Sequence, residues 1–286
     1  RNKSIASLNE GYKLIIRGGI VMIKASALKP IGCERPVLTT DSQNFNKQNM
    51  IIESISGDQE LIPQAVENLA YRMMCMDSVI RDIISELRAL YVQKKESFHI
   101  CLDYISGDSK KEVIELLRSM YGIIYGVSYC TDCDILSGKI VLSNKAQRFI
   151  TGQYMEIATK KVVKDVLNEM ETLHGIHYEL YNNVKVNTLD GMIKNEFDLV
   201  IKDVSDSIVY VIECKSGKNF DDFDKLSRIG KEYGIVPNRL LLIDNYLSED
   251  QMEIVEYFCD YYVTNLEHDN IKNKLTKMLE NDLKED

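Results

Sequence analysis

The sequence predicts an α/β protein in which a mixed sheet is covered by helices on both faces. From residue 148 onward, short runs rich in Val and Ile alternate with longer segments of helical period. Runs that are apolar on both faces are typical of strands buried between helices. The composition, with 45% hydrophobic and 28% charged residues over 286 positions, indicates a globular protein with room for one large or two modest domains.

The N-terminal part of the chain predicts strands followed by a long helical stretch. Two β-like runs flank Gly18-Gly19, and such a glycine pair is most often a bend. Apolar positions then recur with helical period from Val66 to Leu90. We interpret residues 1–105 as an N-terminal α/β region that could act as a sensor. Its predicted elements are strands at 12–16 and 20–23, a helical stretch from about 60 to 95, and a strand at 97–105.

Residues 106–147 predict a connector of one helix and two strands. Gly107-Asp108-Ser109 is a suitable start for the helix, and a polar Cys-Asp loop separates the strands. A helix followed by a two-stranded wing is compatible with a winged-helix-like unit, although any α-β-β unit gives the same pattern. The helix is predicted at about 107–120 and the strands at 123–129 and 139–142.

Residues 148–286 predict the mixed sheet itself. The first helix has a clear apolar side, and three β-like runs follow it before helices and strands begin to alternate. The predicted helices lie at about 151–173, 221–233, 249–257 and from 270, and the predicted strands at 178–185, 197–201, 208–215, 239–244 and 261–264.

Charged residues at the ends of two neighbouring strands are the main functional signal. Asp198 opens the run Leu199-Val200-Ile201, and Glu213 and Lys215 end the next run. Because side chains alternate along a strand, Glu213 and Lys215 project from one face and Cys214 from the other. A divalent cation, which prefers oxygen ligands, would account for these charges. The alternative is a hairpin with surface salt bridges.

Three motifs, in order along the chain, carry a family resemblance. They are Arg148-Phe149-Ile150-Thr151-Gly152-Gln153-Tyr154-Met155-Glu156, Asn195-Glu196-Phe197-Asp198 and Ile212-Glu213-Cys214-Lys215-Ser216. The pattern of Asp198, Glu213 and Lys215 resembles the core of the PD-(D/E)XK nuclease superfamily. The three motifs together resemble the nuclease half of CRISPR-associated nucleases that carry an N-terminal CARF sensor and are activated by cyclic oligoadenylate. The resemblance covers about residues 140 to 245.

The resemblance implies a restriction-endonuclease-like domain and assigns roles to its residues. Asp198 and Glu213 would be ligands of Mg²⁺ or Mn²⁺, and Lys215 would position the attacking water and stabilise charge on the scissile phosphate. Glu156 would complete the acidic cluster. The role of Glu196 stays open, because it shares a strand face with Asp198 but could also cap the strand or face solvent.

The resemblance also implies partners and a biological setting. The substrate would be DNA, with RNA as a second candidate, and a cyclic oligoadenylate bound to a homodimer would control activity in antiviral defence. Residues 1–105 would then be a partial or diverged CARF (Rossmann-like) domain. Two alternatives stay open: an ungated PD-(D/E)XK nuclease of restriction or repair type whose N-terminal region recognises DNA, and a non-catalytic sensor module that retains the fold.

Charge and cysteine content limit these possibilities. The net charge of −9 argues against a basic groove across the whole surface, although Lys160, Lys161 and Lys164 could form a local basic face. Seven scattered cysteines, including the lone pair Cys130 and Cys133, predict reduced thiols in the cytoplasm.

No apolar run reaches the ~18 to 20 residues of a membrane helix, so we expect no membrane partner. Since the chain begins with Arg1, we expect a fragment or a missing start.

Overall fold

A mixed sheet with helices on both faces forms the main body of the computed structural model. Within the described residues, six strands form this main sheet in the order β11-β10-β9-β8-β7-β3. Strands β9, β10 and β11 are parallel to one another, and the pairs β9–β8, β8–β7 and β7–β3 are antiparallel. The described residues are 12–16, 19–23, 50–55, 62–188, 191, 194–205, 208–217 and 222–283.

The elements follow one another much as the sequence predicts. Their strands are β1 (Tyr12–Ile16), β2 (Gly19–Ile23), β3 (Met50–Ile55), β4 (Ser97–Cys101), β5 (Ile124–Cys130), β6 (Ile135–Ile140), β7 (Tyr178–Thr188), β8 (Lys194–Asp203), β9 (Val209–Lys215), β10 (Leu240–Asp244) and β11 (Tyr262–Thr264). Their helices are α1 (Gln64–Cys75), α2 (Asp77–Gln93), α3 (Gly107–Ser119), α4 (Asn144–Arg148), α5 (Tyr154–His174), α6 (Asp224–Tyr233), α7 (Glu249–Cys259) and α8 (His268–Leu283).

Each face of the main sheet has its own hydrophobic core. Leu199, Ile201 and Ile212 belong to the larger core, which also contains buried residues of α1, α2, α3, α5 and α8. Val200 and Val211 point to the opposite face and pack with residues of α6 and α7. This alternation of apolar side chains on both faces fixes the register of the central strands. An α/β fold with a mixed sheet flanked by helices is therefore confirmed.

A smaller antiparallel sheet is formed by three strands that follow α2 and precede α5 in sequence. In the part of the chain that the structure describes, its strand order is β4-β6-β5, and β5 and β6 form an antiparallel pair. The strand predicted at 139–142 is wrong in its bounds, because β6 begins at Ile135 and ends at Ile140, and the winged-helix-like connector stays a prediction. The first strand of the sheet, β4, comes from residues that precede the predicted connector. The larger hydrophobic core contains residues of this sheet as well as of α5, and the domain boundaries at 105 and 147 stay predictions.

Two further predicted elements need correction. The helical stretch predicted from about 60 to 95 is two helices, because the backbone at Met76 leaves the helical region (φ −109°, ψ 10°) between α1 and α2. The strand predicted at 97–105 ends at Cys101, and the backbone then turns toward α3. The glycine bend at Gly18-Gly19 falls partly outside the described residues, although β1 and β2 form an antiparallel pair on either side of it.

The sequence also makes predictions about membrane helices and about the state of the cysteines. Of the helices described, none has the length and apolar character required to cross a bilayer. The cysteines at positions 75, 101, 130, 133, 214 and 259, which lie in the described ranges, are free thiols.

Candidate active site

The two strands that carry the acidic residues separate from each other at the site. β8 and β9 are paired as far as Leu199 opposite Ile212. Beyond that point β8 continues beside β7 as far as Lys194, and β9 continues beside β10 as far as Lys215. The main sheet therefore opens between two of its central strands, and we call this opening the strand fork.

Asp198 and Glu213 are the first residues beyond the last pair in the strand fork. The backbone N–H of Cys214 donates a hydrogen bond of 2.7 Å to Asp198 Oδ2. This contact holds the carboxylate of Asp198 at the base of the fork. The start of the strand predicted at 197–201 is wrong, because β8 begins at Lys194, where it pairs with β7 alone.

Glu213 and Lys215 lie on one face of β9, as the alternation of side chains predicts. Lys215 Nζ donates to Glu213 Oε2 over 2.6 Å. Cys214 points to the other face, where its Sγ lies 3.7 Å from Thr159 Oγ1 on α5. The charged pair thus faces the fork, while the thiol is packed against the helix.

Glu156 approaches the strand fork from α5. It lies in the first turn of α5, which follows a turn at Phe149–Gln153 that we call the 149–153 turn. A cavity of about 360 Å³ separates this turn from the strands. The turn wall of the cavity consists of Arg148, Thr151, Gly152, Gln153, Met155 and Glu156, and the strand wall consists of Asn183, Glu196, Asp198, Cys214, Lys215 and Ser216.

The carboxyl groups of the site hold their protons more tightly than free carboxyl groups do. Burial raises the pKa of Glu156 to about 7; the Asp198 carboxylate adds to the rise, and the Arg148 guanidinium opposes it. Burial, with Asp198 adding to it, also raises the pKa of Glu213 to about 7. The pKa of Asp198 is raised by burial although Lys215 opposes the change. Clustered, buried carboxyl groups of this kind are typical of functional sites.

Lys215 stays positively charged in this environment. Burial alone would lower the pKa of its ammonium group, but the carboxylates of Glu213 and Asp198 more than offset that effect, and the pKa is raised. The site therefore holds the Lys215 ammonium beside three carboxyl groups whose pKa values are raised.

Glu196 and two lysines of α5, also singled out in the sequence, make contacts within the fold. Glu196 lines the cavity on the same strand as Asp198, half exposed and 3.8 Å from Lys185 Nζ. Lys160 donates to Asn182 on β7, and Lys161 lies over the ring of Tyr71. Two members of the proposed basic face on α5 are therefore engaged within the fold.

The side chains of the strand fork suit a divalent cation held by two carboxylates. Glu213 is only 7% exposed, and its Oε1 is buried without a hydrogen-bond donor in the described residues. A buried acceptor without a partner is costly, and a cation would satisfy it. The described residues contain no group of three or more His, Cys, Asp or Glu side chains placed to hold a metal. Mg²⁺ commonly uses one or two carboxylates and takes its other ligands from water and substrate phosphate, so Asp198 and Glu213 fit it.

Known proteins resemble this chain in fold. No family model and no curated protein matches the sequence. Among solved structures, the protein VC1899 from Vibrio cholerae aligns with a TM-score of 0.53 and 18% identity over 76% of this chain and 57% of that one. Can2 from Sulfobacillus thermosulfidooxidans, in complex with cyclic tetra-adenylate, aligns with a TM-score of 0.54 and 14% identity over 83% of this chain and 58% of that one. This chain thus spans less than three fifths of either protein.

Three residues at the site gained no role from the sequence. Arg148 was only part of a motif, yet it lines the cavity and its charge acts on Glu156. The Ser216 hydroxyl donates to the carbonyl of Thr151 and so joins the strand wall to the turn wall. Arg88 contacts both walls, and its partners lie in distant parts of the chain, so no local pattern reveals these contacts.

Proposed function

We propose that this protein is a metal-dependent endonuclease of the PD-(D/E)XK type that hydrolyses phosphodiester bonds in DNA, with RNA as a second candidate substrate. The observation that carries the proposal is the strand fork, where Asp198 and Lys215 line one cavity with Glu156, and the buried Glu213 carboxylate is hydrogen-bonded to Lys215. Three carboxyl groups and a lysine this close together match the chemical needs of phosphodiester hydrolysis.

Each of these side chains has a specific task in the proposed reaction. Asp198 and Glu213 would hold Mg²⁺ or Mn²⁺, which when bound would activate water and neutralise charge on the phosphate. The Lys215 ammonium, oriented by Glu213, would donate hydrogen bonds to the attacking water and to the phosphate oxygen on which charge develops. Glu156, with a pKa of about 7, can take up or release a proton near neutral pH.

We further propose that a cyclic oligoadenylate controls the nuclease, in a homodimer that acts in CRISPR antiviral defence. The fold likeness to Can2, whose structure holds cyclic tetra-adenylate, supports this part of the proposal. The motif resemblance of residues 140 to 245 supports it independently. The nucleotide would bind outside the nuclease region, which leaves the cavity at the strand fork for the nucleic acid.

The decisive experiment is a cleavage assay with matched variants. The wild-type protein is incubated with Mn²⁺ and supercoiled plasmid, single-stranded DNA or single-stranded RNA, with and without cyclic tetra-adenylate and related cyclic oligoadenylates. Glu213→Ala tests the site, and Glu253→Ala, an exposed glutamate on α7, serves as the control. We expect cleavage that needs metal, Glu213 and one cyclic nucleotide. No cleavage under any condition would refute the nuclease, whereas equal cleavage with and without nucleotide would refute only the control by cyclic oligoadenylate.

The ungated nuclease with a DNA-recognising N-terminal region is the second candidate. The strand order β4-β6-β5, in which the last strand lies in the middle, favours it because winged-helix units of DNA-binding proteins share this order. The contacts of the arginines in the N-terminal region argue against it, because base recognition needs side chains that can reach the DNA. Arg72 contacts Ser119, Arg81 is paired with Asp77, and Arg88 binds backbone carbonyls, so these arginines are engaged within the fold.

A further inference from the structure

One face of α2 contacts the segments that surround the cavity. Asp77, Arg81 and Arg88 are spaced by four and seven residues and therefore lie on the same side of the helix. Arg81 donates to Asp77 Oδ2 over 2.7 Å, and Asp77 Oδ1 accepts a 3.2 Å hydrogen bond from Asn245, which directly follows β10. This polar face of α2 is packed against the main sheet and is only partly open to solvent.

Arg88 connects α2 to both walls of the cavity. Its Nε donates to the carbonyl of Ile150 over 2.9 Å, and its Nη1 donates to the carbonyl of Ser216. Ile150 belongs to the 149–153 turn, which leads into Glu156. Ser216 directly follows Lys215 on the strand wall. One guanidinium thus holds the backbone of both cavity walls.

The walls touch each other at the same place. The hydroxyl of Ser216 donates to the carbonyl of Thr151, and a Cβ atom on Gly152 would lie 3.2 Å from Ser216 Oγ. The hydroxyl contact and the guanidinium contacts together set the distance between the 149–153 turn and the end of β9.

The chemistry of these contacts requires arginine. The planar guanidinium presents several N–H donors in a fixed arrangement, whereas a lysine ammonium is a flexible point charge that would favour one carbonyl. Arg88 Nη2 is buried without a partner in the described residues, so the charge is held at some cost. A costly buried cation that bridges two backbone segments is better explained by a role in geometry than by stability alone.

We infer that Arg88 is a positioning residue that fixes the separation of the two cavity walls. The separation of the walls determines whether Glu156 faces Asp198 and Lys215 across the cavity. The effect of Arg88 on catalysis therefore rests on the proposed nuclease function. Arg88 lies in α2, within residues 1–105, and therefore links the predicted sensor region directly to the strand fork. A movement of α2 would change both walls at once.

Hydrogen exchange of backbone amides tests the positioning role without any assay of activity. The variants are Arg88→Met and Arg88→Lys, and the control is Arg118→Met, an exposed arginine on α3. We expect exchange at residues 151–156 and 214–217 to become at least tenfold faster in both Arg88 variants, and to stay unchanged in β10, β11 and the control. Unchanged exchange at the two walls, or an equal increase throughout the chain, would overturn the inference. If Arg88→Met does not fold, Arg88→Lys decides by the same criterion.

Cleavage kinetics then test the consequence for the reaction. For a wild-type protein that cleaves nucleic acid, we expect kcat of the Arg88 variants, calculated per folded molecule, to fall at least tenfold while KM changes less than threefold. A smaller folded fraction lowers the apparent kcat and leaves KM unchanged, so a decrease in kcat that disappears after correction for the folded fraction would indicate a purely structural role. If the wild-type protein does not cleave at all, the proposed function fails, and the exchange experiment alone decides the role of Arg88.

Discussion

Lys215 Nζ lies 2.6 Å from Glu213 Oε2, whereas Oε1 of the same carboxylate is buried and has no donor among the residues that the structure describes. The lysine therefore satisfies one half of the carboxylate and leaves the other half for a further partner. Both side chains project from one face of β9 at the strand fork, where Lys215 lines the cavity and the Glu213 carboxylate is buried. This arrangement makes Lys215 the side chain whose removal is most informative.

Replacing Lys215 by alanine should abolish catalysis while the fold survives. The ammonium group is proposed to stabilise charge on the phosphate, and loss of such a donor typically costs about 10²- to 10³-fold in kcat. We expect at least a 100-fold decrease in cleavage rate, measured with saturating Mn²⁺ and, if required, the activating nucleotide. The far-ultraviolet circular dichroism spectrum should remain that of the wild type.

Lys111→Ala provides the control for this experiment. Lys111 lies on α3, pairs with Asp108 over 3.4 Å, and is largely exposed, so its loss should leave cleavage within twofold of the wild type. A Lys215→Ala protein that cleaves at the wild-type rate would remove Lys215 from the reaction.

The raised pKa of Glu156 should make the metal-free protein less stable as the pH rises toward 7. A carboxyl group with a pKa of about 7 in the folded chain and 4.5 when unfolded binds its proton more tightly in the folded state. The folded state is therefore favoured at low pH, and this advantage is lost between pH 4.5 and pH 7. At 1.36 kcal/mol for each pH unit of difference, we expect a loss of about 2 kcal/mol between pH 5 and pH 7.

Urea unfolding in EDTA, with wild type and Glu156→Gln compared at pH 5, 6 and 7, measures this effect. The glutamine variant carries no titrating group at this position, so its free energy of unfolding should fall less over the same range. Glu171→Gln, an exposed change near the other end of α5, is the control and should follow the wild type. Parallel curves for wild type and Glu156→Gln would contradict a raised pKa.

Mn²⁺ should stabilise the wild-type protein but not Asp198→Asn. A ligand that binds only the folded state raises its stability by about 2.7 kcal/mol at 100 times its dissociation constant. We expect the midpoint of thermal unfolding to rise with Mn²⁺ concentration, and to rise more at pH 8 than at pH 6, because protonated carboxyl groups cannot bind the ion. EDTA should reverse the shift.

Asp103→Asn separates site binding from general binding of Mn²⁺ to an acidic protein. Asp103 is exposed and lies outside the strand fork, so this variant should respond to Mn²⁺ as the wild type does. Equal stabilisation of Asp198→Asn and wild type would place the bound ion elsewhere.

The order of helices and strands was predictable because each element carries its own periodic pattern. The apolar stripe of α5 and the Val-rich run of β9 are local signals, and the structure places both elements within a few residues of the prediction. The start of β8 was missed because Lys194 to Glu196 lack apolar alternation and are held as a strand by pairing with β7. The break at Met76 was missed because neither glycine nor proline marks it.

The site was predictable in its residue types but not in its geometry. The spacing of Glu213 and Lys215 on one strand decides that they share a face, whereas the strand fork depends on β9 leaving β8 to follow β10. The partners of Arg88 lie 62 and 128 residues away in sequence, and such contacts follow from packing of the whole fold rather than from any local pattern.

Replacing Arg148 by glutamine should weaken binding of the nucleic acid more than it slows the chemical step. Arg148 is exposed, lines the cavity, and is not ion-paired within the described residues, so its guanidinium is available for a backbone phosphate. We expect KM to increase about tenfold and the slope of log binding constant against log salt concentration to decrease by about 1, as for loss of one phosphate contact. The Arg148 charge also lowers the pKa of Glu156, so the acidic limb of the pH–rate profile should move to higher pH.

Lys145→Gln is the matched control, since Lys145 is an exposed cation on the same helix that does not line the cavity. Its loss removes the same charge from the protein at a distance of one helical turn. Fluorescence anisotropy with a labelled oligonucleotide at several salt concentrations measures the slope, and steady-state cleavage gives KM and kcat. An identical salt slope for Arg148→Gln and Lys145→Gln would show that Arg148 contributes only to the general charge of the surface.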